Sequence, residues 1–375
     1  MNAAIVGCGY VADYYLETLK GYPDVRVVGV FDRDRARAAN LATRYGLRSF
    51  ESLDTLLSDV QVELVINLTN PRSHYDVSRA SLLAGKHVYS EKPLAVELDQ
   101  AKELIDIAEA RSLGITAAPC NLLGETAQTM WKALRHGVIG KPQIVYAEMD
   151  EGLVHLMPFR KWASASGAPW PYRDEFEVGT TLEHAGYVLS WLPAFFGPAL
   201  TVTGFSSCLI PEKVPGEELP ICAPDFAVAC IRFSSGVVAR LTSSLIAPHD
   251  HSVRIIGETG VLQTKDTWFY TSKVYVRRSK IIRRRHIWLP WNKRIRLVRE
   301  GRKYGYRGVQ EMDFARGPAE LVSALQAGRC SHLPGRFALN VNELVLAVQN
   351  AGECGQTYQM TTTFKALQPM PWAAD

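Results

Sequence analysis

A lysine stands where an open parallel sheet would hold a ligand. The apolar run His87–Tyr89 predicts a short strand, and the triplet Glu91 to Pro93 follows it. Ligands bind at the carboxyl ends of parallel strands, and a proline restricts the direction in which the chain leaves. Lys92 there could bind a substrate hydroxyl and exchange a proton with it, provided its surroundings lower its pKa from about 10. A solvated lysine on a strand–helix loop would have the same sequence, so the triplet alone leaves both interpretations open.

A glycine turn near the start of the chain has the pattern of a dinucleotide site. The run Ala3–Val6 predicts a strand, and the sequence GCGYVA of residues 7–12 leads from it into an amphipathic helix. Glycines let the backbone approach a pyrophosphate, and the free N–H groups of the helix stabilise its charge. Glycine turns also close strands for packing alone, so the context carries the assignment. The cofactor contacts predicted here are Gly7, Cys8, Gly9, Tyr10 and Val11.

An acidic residue ends the second predicted strand, Val25–Phe31, at the spacing at which an acid meets the adenosine ribose. Asp32 would repel a 2′-phosphate and so favours NAD over NADP. Arg33 beside it could pair with that phosphate, which leaves NADP open. Asp32 could instead cap the following helix. We predict that Asp32 and Arg33 contact the cofactor ribose.

Strands and helices alternate through residues 1–120. Further apolar runs at Leu64–Leu68 and Ile115–Ala118 predict right-handed βαβ units on one parallel sheet, and therefore a doubly wound Rossmann domain. His74 either faces the cofactor or caps and packs its own helix, and we favour packing. Besides His74, the cofactor contacts predicted along the carboxyl edge of this sheet are Thr69, Asn70, Glu91, Lys92 and Asn121.

Residues 121–375 have a different pattern. Segments such as IVYAEMD, FAVACIRF and SVRIIG are β-rich and follow one another across turns, which predicts an α+β domain with an open, mainly antiparallel sheet. Two helical runs near the end of the chain are expected to pack on the first domain or on this sheet. The fold class is therefore α/β, with a second α+β domain for substrate binding and oligomerisation.

A helical run at Gly179–Gly197 places Glu183, His184 and Tyr187 near its amino end. An imidazole titrates near neutrality and can act as an acid or a base, but a lone histidine at a helix start is more often structural. The role of His184 depends on whether it faces Lys92. Glu183 is a candidate substrate contact.

The aromatic loop of residues 159–176 is a candidate substrate wall. Its rings suit the C–H faces of sugars, and its cationic groups can bind hydroxyls or an anion. Such loops also simply cover domain seams, and both interpretations stay open. The substrate contacts predicted here are Trp162, Tyr172 and Arg173.

Composition narrows the class of protein. The net charge of +4 gives no argument for nucleic acid, and no apolar run reaches the roughly 18 residues of a membrane helix. The seven cysteines are scattered, without a CxxC pair, which predicts mostly buried, reduced thiols in a cytoplasmic protein. The sequence HDH at residues 249–251 could hint at a metal, but no third ligand is suitably spaced, so we predict a polar turn and no metal.

Residues 273–307 are strongly basic, with Trp288 and Trp291 among the charges and Glu300 as the one acid. A sugar diphosphate, an anionic membrane surface or nucleic acid could each use this charge. We rank phosphorylated or lipid-linked glycans first, peripheral membrane contact through residues 277–303 second and nucleic acid last. A solvated hairpin that protects a sheet edge is the simplest alternative.

Taken in order, the motifs GCGYVA, Asp32, TNPRSH, SEKP, GVIGKP and GTTLEHAG resemble the glucose-fructose oxidoreductase and inositol dehydrogenase family, Gfo/Idh/MocA, over nearly the whole chain. The resemblance implies NAD(P)-linked oxidation or reduction at a sugar or cyclitol carbon, Lys92 as the active-site lysine, and a homodimer or homotetramer. Family members usually carry an aspartate and, four residues later, a histidine where this chain has His184 and Val188. Either His184 replaces that histidine, assisted by Lys92 or Tyr187, or the chemistry is altered or lost. We favour replacement by His184, because an imidazole titrates near neutrality.

The expected protein is a cytoplasmic NAD(P)-dependent sugar oxidoreductase, with NAD favoured and with nucleotide-linked or phosphorylated sugars among its candidate substrates. One alternative is a redox-neutral, sugar-modifying enzyme that keeps NAD tightly bound. Another is a non-catalytic, membrane-associated NAD-binding scaffold.

Overall fold

A computed structural model describes residues 1–300 and 312–374 of the chain. The first half holds a six-stranded sheet in the order β3-β2-β1-β4-β5-β6, and every pair in it is parallel. Its strands are β1 (Asn2–Val6), β2 (Arg26–Phe31), β3 (Arg48–Ser49), β4 (Leu64–Asn67), β5 (His87–Ser90) and β6 (Ile115–Ala117). Apolar residues occupy both faces of β1 and β4, as expected for a sheet covered by helices on both sides.

Helices connect these strands, and local sequence signals set several of their ends. They are α1 (Ala12–Leu19), α2 (Arg35–Tyr45), α3 (Leu53–Ser58), α4 (His74–Leu83), α5 (Leu98–Ala110) and α6 (Glu125–Arg135). The Asp34 carboxylate accepts the N–H groups of Ala36 and Arg37 and so caps α2. Gly46 ends α2 in the left-handed conformation, at a φ of 65°.

The second half holds a ten-stranded sheet in which β7 and β10 are parallel and the other pairs are antiparallel. The main path runs β14-β13-β12-β11-β7-β10-β9-β8-β16, and β15 pairs with β13. The strands are β7 (Pro142–Asp150), β8 (Ala199–Ser207), β9 (Phe226–Phe233), β10 (Val238–Ser244), β11 (Val253–Gly257), β12 (Gly260–Thr264), β13 (Val274–Ile282), β14 (Arg285–Trp288), β15 (Lys293–Ile295) and β16 (Thr357–Gln359). The predicted fold class, a Rossmann sheet followed by an open and mainly antiparallel sheet, is confirmed.

The helical run predicted at Gly179–Gly197 is interrupted. It begins as a π-helical turn at Thr181–Ala185, where the ladder is wider by one residue than in an α-helix, and continues as two short α-helices. The helices of this half are α7 (Tyr172–Val178), α8 (Gly186–Leu189), α9 (Trp191–Phe196), α10 (Arg316–Gln326) and α11 (Gly335–Gln349).

Helix α11 joins the two halves through its packing. Every residue from Phe337 to Gln349 is buried, because the helix contacts α5 and β6 on one side and β8 and β9 on the other. Helix α10 lies against α1, β5 and β6. These contacts fix the carboxyl edge of the first sheet against the π-helical turn of the second half.

The cysteines differ from the prediction of mostly buried, reduced thiols. Cys208 and Cys222 form a disulfide within the loop from β8 to β9, and Cys230, Cys330 and Cys354 are exposed. Only Cys8 and Cys120 among the free thiols are buried. The prediction failed because the conformation of the loop brings the two bonded cysteines together, and no short sequence motif indicates that pairing.

The basic segment is described as far as residue 300, so the predictions for residues 301–307 lie outside the described part of the chain. Strands β13 and β14 form a hairpin whose turn residues, Arg283 and Arg284, both have positive φ. Within the described ranges, no helix is both long enough and apolar enough to cross a membrane.

Candidate active site

A cavity of about 770 Å³ runs along the carboxyl edge of the first sheet and reaches under the second half of the molecule. This volume falls in the range of small-molecule and cofactor sites. Its wall includes most of the residues predicted from the sequence, namely Gly7, Gly9, Tyr10, Val11, Asp32, Arg33, Thr69, Asn70, His74, Glu91, Lys92, Trp162, Tyr172, Arg173, Glu183, His184 and Tyr187. The fold therefore brings the glycine turn, the lysine and the aromatic loop to one space.

The glycine end of the cavity has room for a ligand backbone. Gly7 has a φ of 96°, and a Cβ on it would lie 2.5 Å from the carbonyl of Leu68, so no other residue fits there. A Cβ on Gly9 would meet nothing within 4 Å. The open space over Gly9, at the start of α1, fits a pyrophosphate bound by backbone N–H groups.

Asp32 is fixed by the backbone around it. Its carboxylate accepts N–H groups of Cys8 and Asp34, each at 2.8 Å. The cap of α2 is Asp34, so the interpretation of Asp32 as a helix cap is wrong. Arg37, one turn into α2, lies 3.8 Å from the Asp32 carboxylate and also lines the cavity. This end of the cavity thus carries one buried acid, Asp32, and the two arginines Arg33 and Arg37.

Lys92 forms a buried ion pair with Glu183. Burial alone would lower the pKa of Lys92, but Glu183 together with Tyr187, Glu91 and Glu175 raises it and holds the ammonium group in its charged form. Burial raises the pKa of Glu183 to about 7, against the opposing charge of Lys92. The pair therefore joins a lysine that is protonated at neutral pH to a carboxyl group that titrates near neutrality.

His184 is held between two carboxylates. Its Nε2 contacts Glu175 Oε1, and its Nδ1 lies 2.9 Å from Glu151 Oε1. Burial would lower the pKa of His184, but Glu151 and Glu175 raise it to about 10. The pKa of Glu151, which burial would raise, lies well below its ordinary value because of the imidazoles of His184 and His251. His184 is accordingly an imidazolium at neutral pH.

The floor of the cavity is a stack of rings. Tyr187 stacks on Trp268, with ring centroids 4.0 Å apart, and His251 also stacks on Trp268, at 5.5 Å. Burial raises the pKa of Tyr187 well above its ordinary value, so this hydroxyl keeps its proton. Tyr187 is thereby a hydrogen-bond donor beside the Lys92–Glu183 pair.

Histidines 249 and 251 have a third neighbour that the sequence did not reveal. Asp266 lies with them, and one ligand atom from each of the three residues falls within 4.8 Å of the others. The expectation that no third metal-binding side chain accompanies the HDH sequence is wrong, because the loop after β12 returns Asp266 to the start of β11 through an isolated bridge with His251.

The aromatic loop forms one wall of the cavity. Trp162 and Trp170 pack edge to face at 5.0 Å. Glu217, on the loop from β8 to β9, contacts both Arg160 and Arg173 and accepts the Tyr172 hydroxyl. Glu217 thus holds three residues of the loop together, and the rings of Trp162, Trp170 and Tyr172 line the cavity.

Three of the residues that were predicted to contact the cofactor have a structural role in the fold. Asn121 lies outside the cavity, where its amide donates to the carbonyls of Tyr187 and Thr267, so the structure gives no support to its prediction as a cofactor contact. The Cys8 side chain is buried, and only its N–H reaches Asp32. His74 lines the cavity but places its ring nitrogens 2.6 Å from the Pro93 carbonyl and 2.9 Å from that of Thr69, which braces the turn after Lys92.

Several cavity residues escaped the sequence analysis. Arg37 could have been found from its position one turn after Asp32. No local signal marked the others, because they come from segments that only the tertiary fold brings to the site; they are Glu151, Glu175, Asp266 and Trp268.

Comparisons with known proteins agree with this geometry. Residues 1–117 match the model of the oxidoreductase family with an NAD-binding Rossmann fold, GFO_IDH_MocA, and residues 127–263 match the GFO/IDH/MocA C-terminal domain. A trans-1,2-dihydrobenzene-1,2-diol dehydrogenase from Bos taurus is 24% identical over 73% of this chain and 76% of its own.

Two solved structures share the fold. A UDP-N-acetylglucosamine 3-dehydrogenase from Acidithiobacillus ferrooxidans superposes with a TM-score of 0.71 and 19% identity, over 94% of this chain and 97% of its own. A 3-ketoreductase from Actinomadura kijaniata, in complex with TDP-benzene and NADP, gives a TM-score of 0.72 and 19% identity, over 94% and 98%.

The chain is thus an oxidoreductase with an NAD(P)-binding Rossmann domain. It belongs to the Gfo/Idh/MocA family, as the ordered sequence motifs had indicated.

Proposed function

We propose that the protein is an NAD(P)-dependent dehydrogenase or reductase that acts at a carbinol carbon of a sugar or cyclitol, with nucleotide-linked or phosphorylated sugars as candidate substrates. One observation carries the proposal: a single cavity joins the glycine turn to the buried Lys92–Glu183 pair. A cofactor held at the first would present its reactive end to the second.

The chain's own residues fit a dinucleotide. The space over Gly9 receives the pyrophosphate, and Asp32 receives the ribose hydroxyls. A bound nicotinamide would accept or supply the hydride. Asp32 favours NAD, whereas Arg33 and Arg37 offer partners for a 2′-phosphate, so the choice between NAD and NADP is left to measurement.

The proton path is assigned to Lys92 and Glu183. Lys92 is protonated and can accept the proton of a substrate hydroxyl only after it hands one to Glu183. The Glu183 carboxylate, with a pKa of about 7, is a suitable final acceptor. In the opposite direction, Lys92 donates a proton to the developing alkoxide. His184 is an imidazolium between Glu151 and Glu175, and its charge holds these two carboxylates in place. Because it is already protonated at neutral pH, it is a poor base.

The wall opposite the sheet supports a substrate with C–H faces. Trp162, Trp170 and Tyr172 offer apolar rings, and Arg173 adds a cation at the same wall. Sugars combine such faces with hydroxyls. The family relatives named for a UDP-sugar and for a complex with a TDP compound agree with this class of substrate.

Cofactor binding and turnover test the proposal directly. NADH and NADPH would be titrated against the purified protein by fluorescence, and nicotinamide absorbance would then be followed with free, phosphorylated and nucleotide-linked sugars. We expect saturable binding and a substrate-dependent absorbance change. Tightly bound cofactor without net redox change would favour the redox-neutral alternative, and absence of any binding would contradict the proposal.

Lys92→Ala tests the lysine. Removal of the group that transfers the proton should lower kcat about 100-fold or more, while the Kd for NADH changes little, because Lys92 acts at the reacting end of the cavity. Lys102→Ala, at a surface lysine on α5, is the matched control. Equal turnover in the Lys92→Ala and Lys102→Ala variants would contradict the assignment.

A further inference from the structure

The cluster of His249, His251 and Asp266 lies in the cavity wall, and the proton path described above makes no use of it. Asp266 is oriented by its own loop, since its Oδ1 accepts the N–H groups of Trp268 and Phe269 at 2.7 and 3.0 Å. Its second oxygen, Oδ2, is turned toward His249 Nε2, 3.9 Å away.

His251 is the buried member of the cluster, with 3% of its surface exposed. Its Nε2 lies 3.0 Å from Glu151 Oε1. Among the described residues, its Nδ1 has no hydrogen-bond partner. A buried imidazole normally donates from one nitrogen and accepts at the other, so Nδ1 is left with unused binding capacity.

The charges around the cluster are unbalanced. Glu151, Glu175 and Asp266 are carboxylates, and His184 is the cation that faces two of them. The negative charge of Glu183 is balanced by its own ion pair with Lys92. The wall of a partly buried cavity thus carries more negative than positive charge, which is costly unless a further cation joins it.

We propose that His249, His251 and Asp266 bind a divalent transition-metal ion, with Zn²⁺ as the best match to two imidazoles and one carboxylate. Three protein ligands with a fourth position open to water or substrate are typical of catalytic zinc sites. Ligands of one Zn²⁺ ion lie at most about 4 Å apart. The present spacing of up to 4.8 Å closes by a small movement of His249, whose side chain is 57% exposed.

The open positions of the ion face the cavity, where they would bind an oxygen atom of the substrate. This second part rests on the proposed oxidoreductase function, whereas the metal site itself does not. Removal of the ion should raise KM about tenfold or more and change kcat much less, because the ion contributes to substrate binding while the proton path uses Lys92 and Glu183.

Metal binding is tested on the full-length protein after treatment with a chelator. Co²⁺ would be titrated by visible absorbance and then displaced with Zn²⁺. We expect one Co²⁺ ion per chain, displaced by Zn²⁺. His249→Gln and Asp266→Asn should each weaken binding at least tenfold. Asparagine can still accept the two N–H groups at the Asp266 position, so that loop is preserved. His136→Gln, at an exposed histidine after α6, is the matched control.

Circular dichroism of each variant separates loss of binding from loss of fold, and His249 is exposed enough to be replaced safely. No saturable absorbance change at millimolar Co²⁺ would overturn the site, as would equal weakening by His136→Gln. Saturable binding with an unchanged KM would overturn the role in substrate binding alone. Metal binding by a protein that oxidises no sugar would contradict the proposed function and leave the metal site standing.

Discussion

Glu183 should set the pH dependence of the reaction, because it is the final proton acceptor and its pKa is raised to about 7. In the direction of hydroxyl oxidation, the carboxylate form is the active one. Activity should therefore be full above pH 7 and fall as the pH drops through that value. Glu183→Gln should lower kcat/KM about 100-fold or more and remove this dependence.

The measurement is kcat/KM across the neutral range, for the wild type and for Glu183→Gln. Glu212→Gln, at an exposed glutamate, serves as the control and should keep the wild-type profile. A profile in Glu183→Gln that still falls below pH 7 would assign the titration to another group. Because His184 has a pKa of about 10, its own titration belongs to the alkaline side.

Residues that chemistry requires at a strand end were predictable, and residues that tertiary packing brings in were not. Gly7 and Asp32 follow strands directly and Lys92 lies two residues after one, so the periodicity of the sequence places them on one edge. Asp266 and Trp268 come from a loop of the second half. Asn121 also follows a strand, yet its side-chain amide donates both of its hydrogen bonds to the backbone carbonyls of Tyr187 and Thr267.

At the scale of elements, substitutions in the turn between β1 and α1 should distinguish an effect on cofactor binding from an effect on folding. Gly9→Ala should leave the melting temperature unchanged, since its Cβ would meet no protein atom within 4 Å. The same methyl group would occupy the space assigned to the pyrophosphate, so the Kd for NADH should rise about tenfold or more.

Gly7→Ala gives the contrasting result, because its positive φ and the carbonyl of Leu68 at 2.5 Å from the new Cβ should destabilise the fold itself. Gly21→Ala, after α1, is the neutral control, since its Cβ would come no nearer than 3.4 Å to a neighbouring atom. Unchanged NADH affinity in Gly9→Ala would remove the pyrophosphate from this turn.

The hairpin of β13 and β14 combines positive charge with exposed apolar side chains. Ile281 at its tip is 79% exposed and Trp291 beyond it is 62% exposed. We expect it to bind anionic vesicles, because basic groups attract the lipid headgroups while Ile and Trp enter the interface. The binding should weaken as salt rises.

Co-sedimentation with anionic and with zwitterionic vesicles tests this expectation. Ile281→Ser combined with Trp291→Ser should lower the bound fraction severalfold, and Leu156→Ser, at another exposed apolar residue, should not. If the protein sediments equally with both kinds of vesicle, or with neither kind, the expected membrane binding is wrong. The hairpin would then serve to protect a sheet edge.

At the scale of the whole molecule, sequence periodicity indicated both sheets but not how they meet. Alternation in β9, where Ala227, Ala229 and Ile231 are buried between more exposed neighbours, predicts one covered face. The burial of α11 on all sides depends on contacts with both halves, which no local pattern contains. The disulfide between Cys208 and Cys222 escaped prediction for the same reason.

The uncovered face of the ten-stranded sheet is where we expect a second copy of the chain. Ile144 of β7 and Val238 of β10 are register partners and are 42% and 39% exposed. Two residues further along both strands, Tyr146 and Arg240 are also register partners. The Arg240 guanidinium lies 4.9 Å from the Tyr146 ring centroid. A flat surface of aromatic, aliphatic and arginine side chains has the composition of a protein interface.

Size-exclusion chromatography with light scattering should therefore give a dimer or tetramer. Ile144→Glu combined with Val238→Glu places like charges opposite each other across a symmetric contact and should yield monomers that remain folded. Val60→Glu, at a 91% exposed residue of the first domain, controls for added charge. A wild-type protein that is monomeric at all concentrations would contradict the interface. Because the cavity lies within one chain, such monomers should still bind NADH, which separates assembly from cofactor binding.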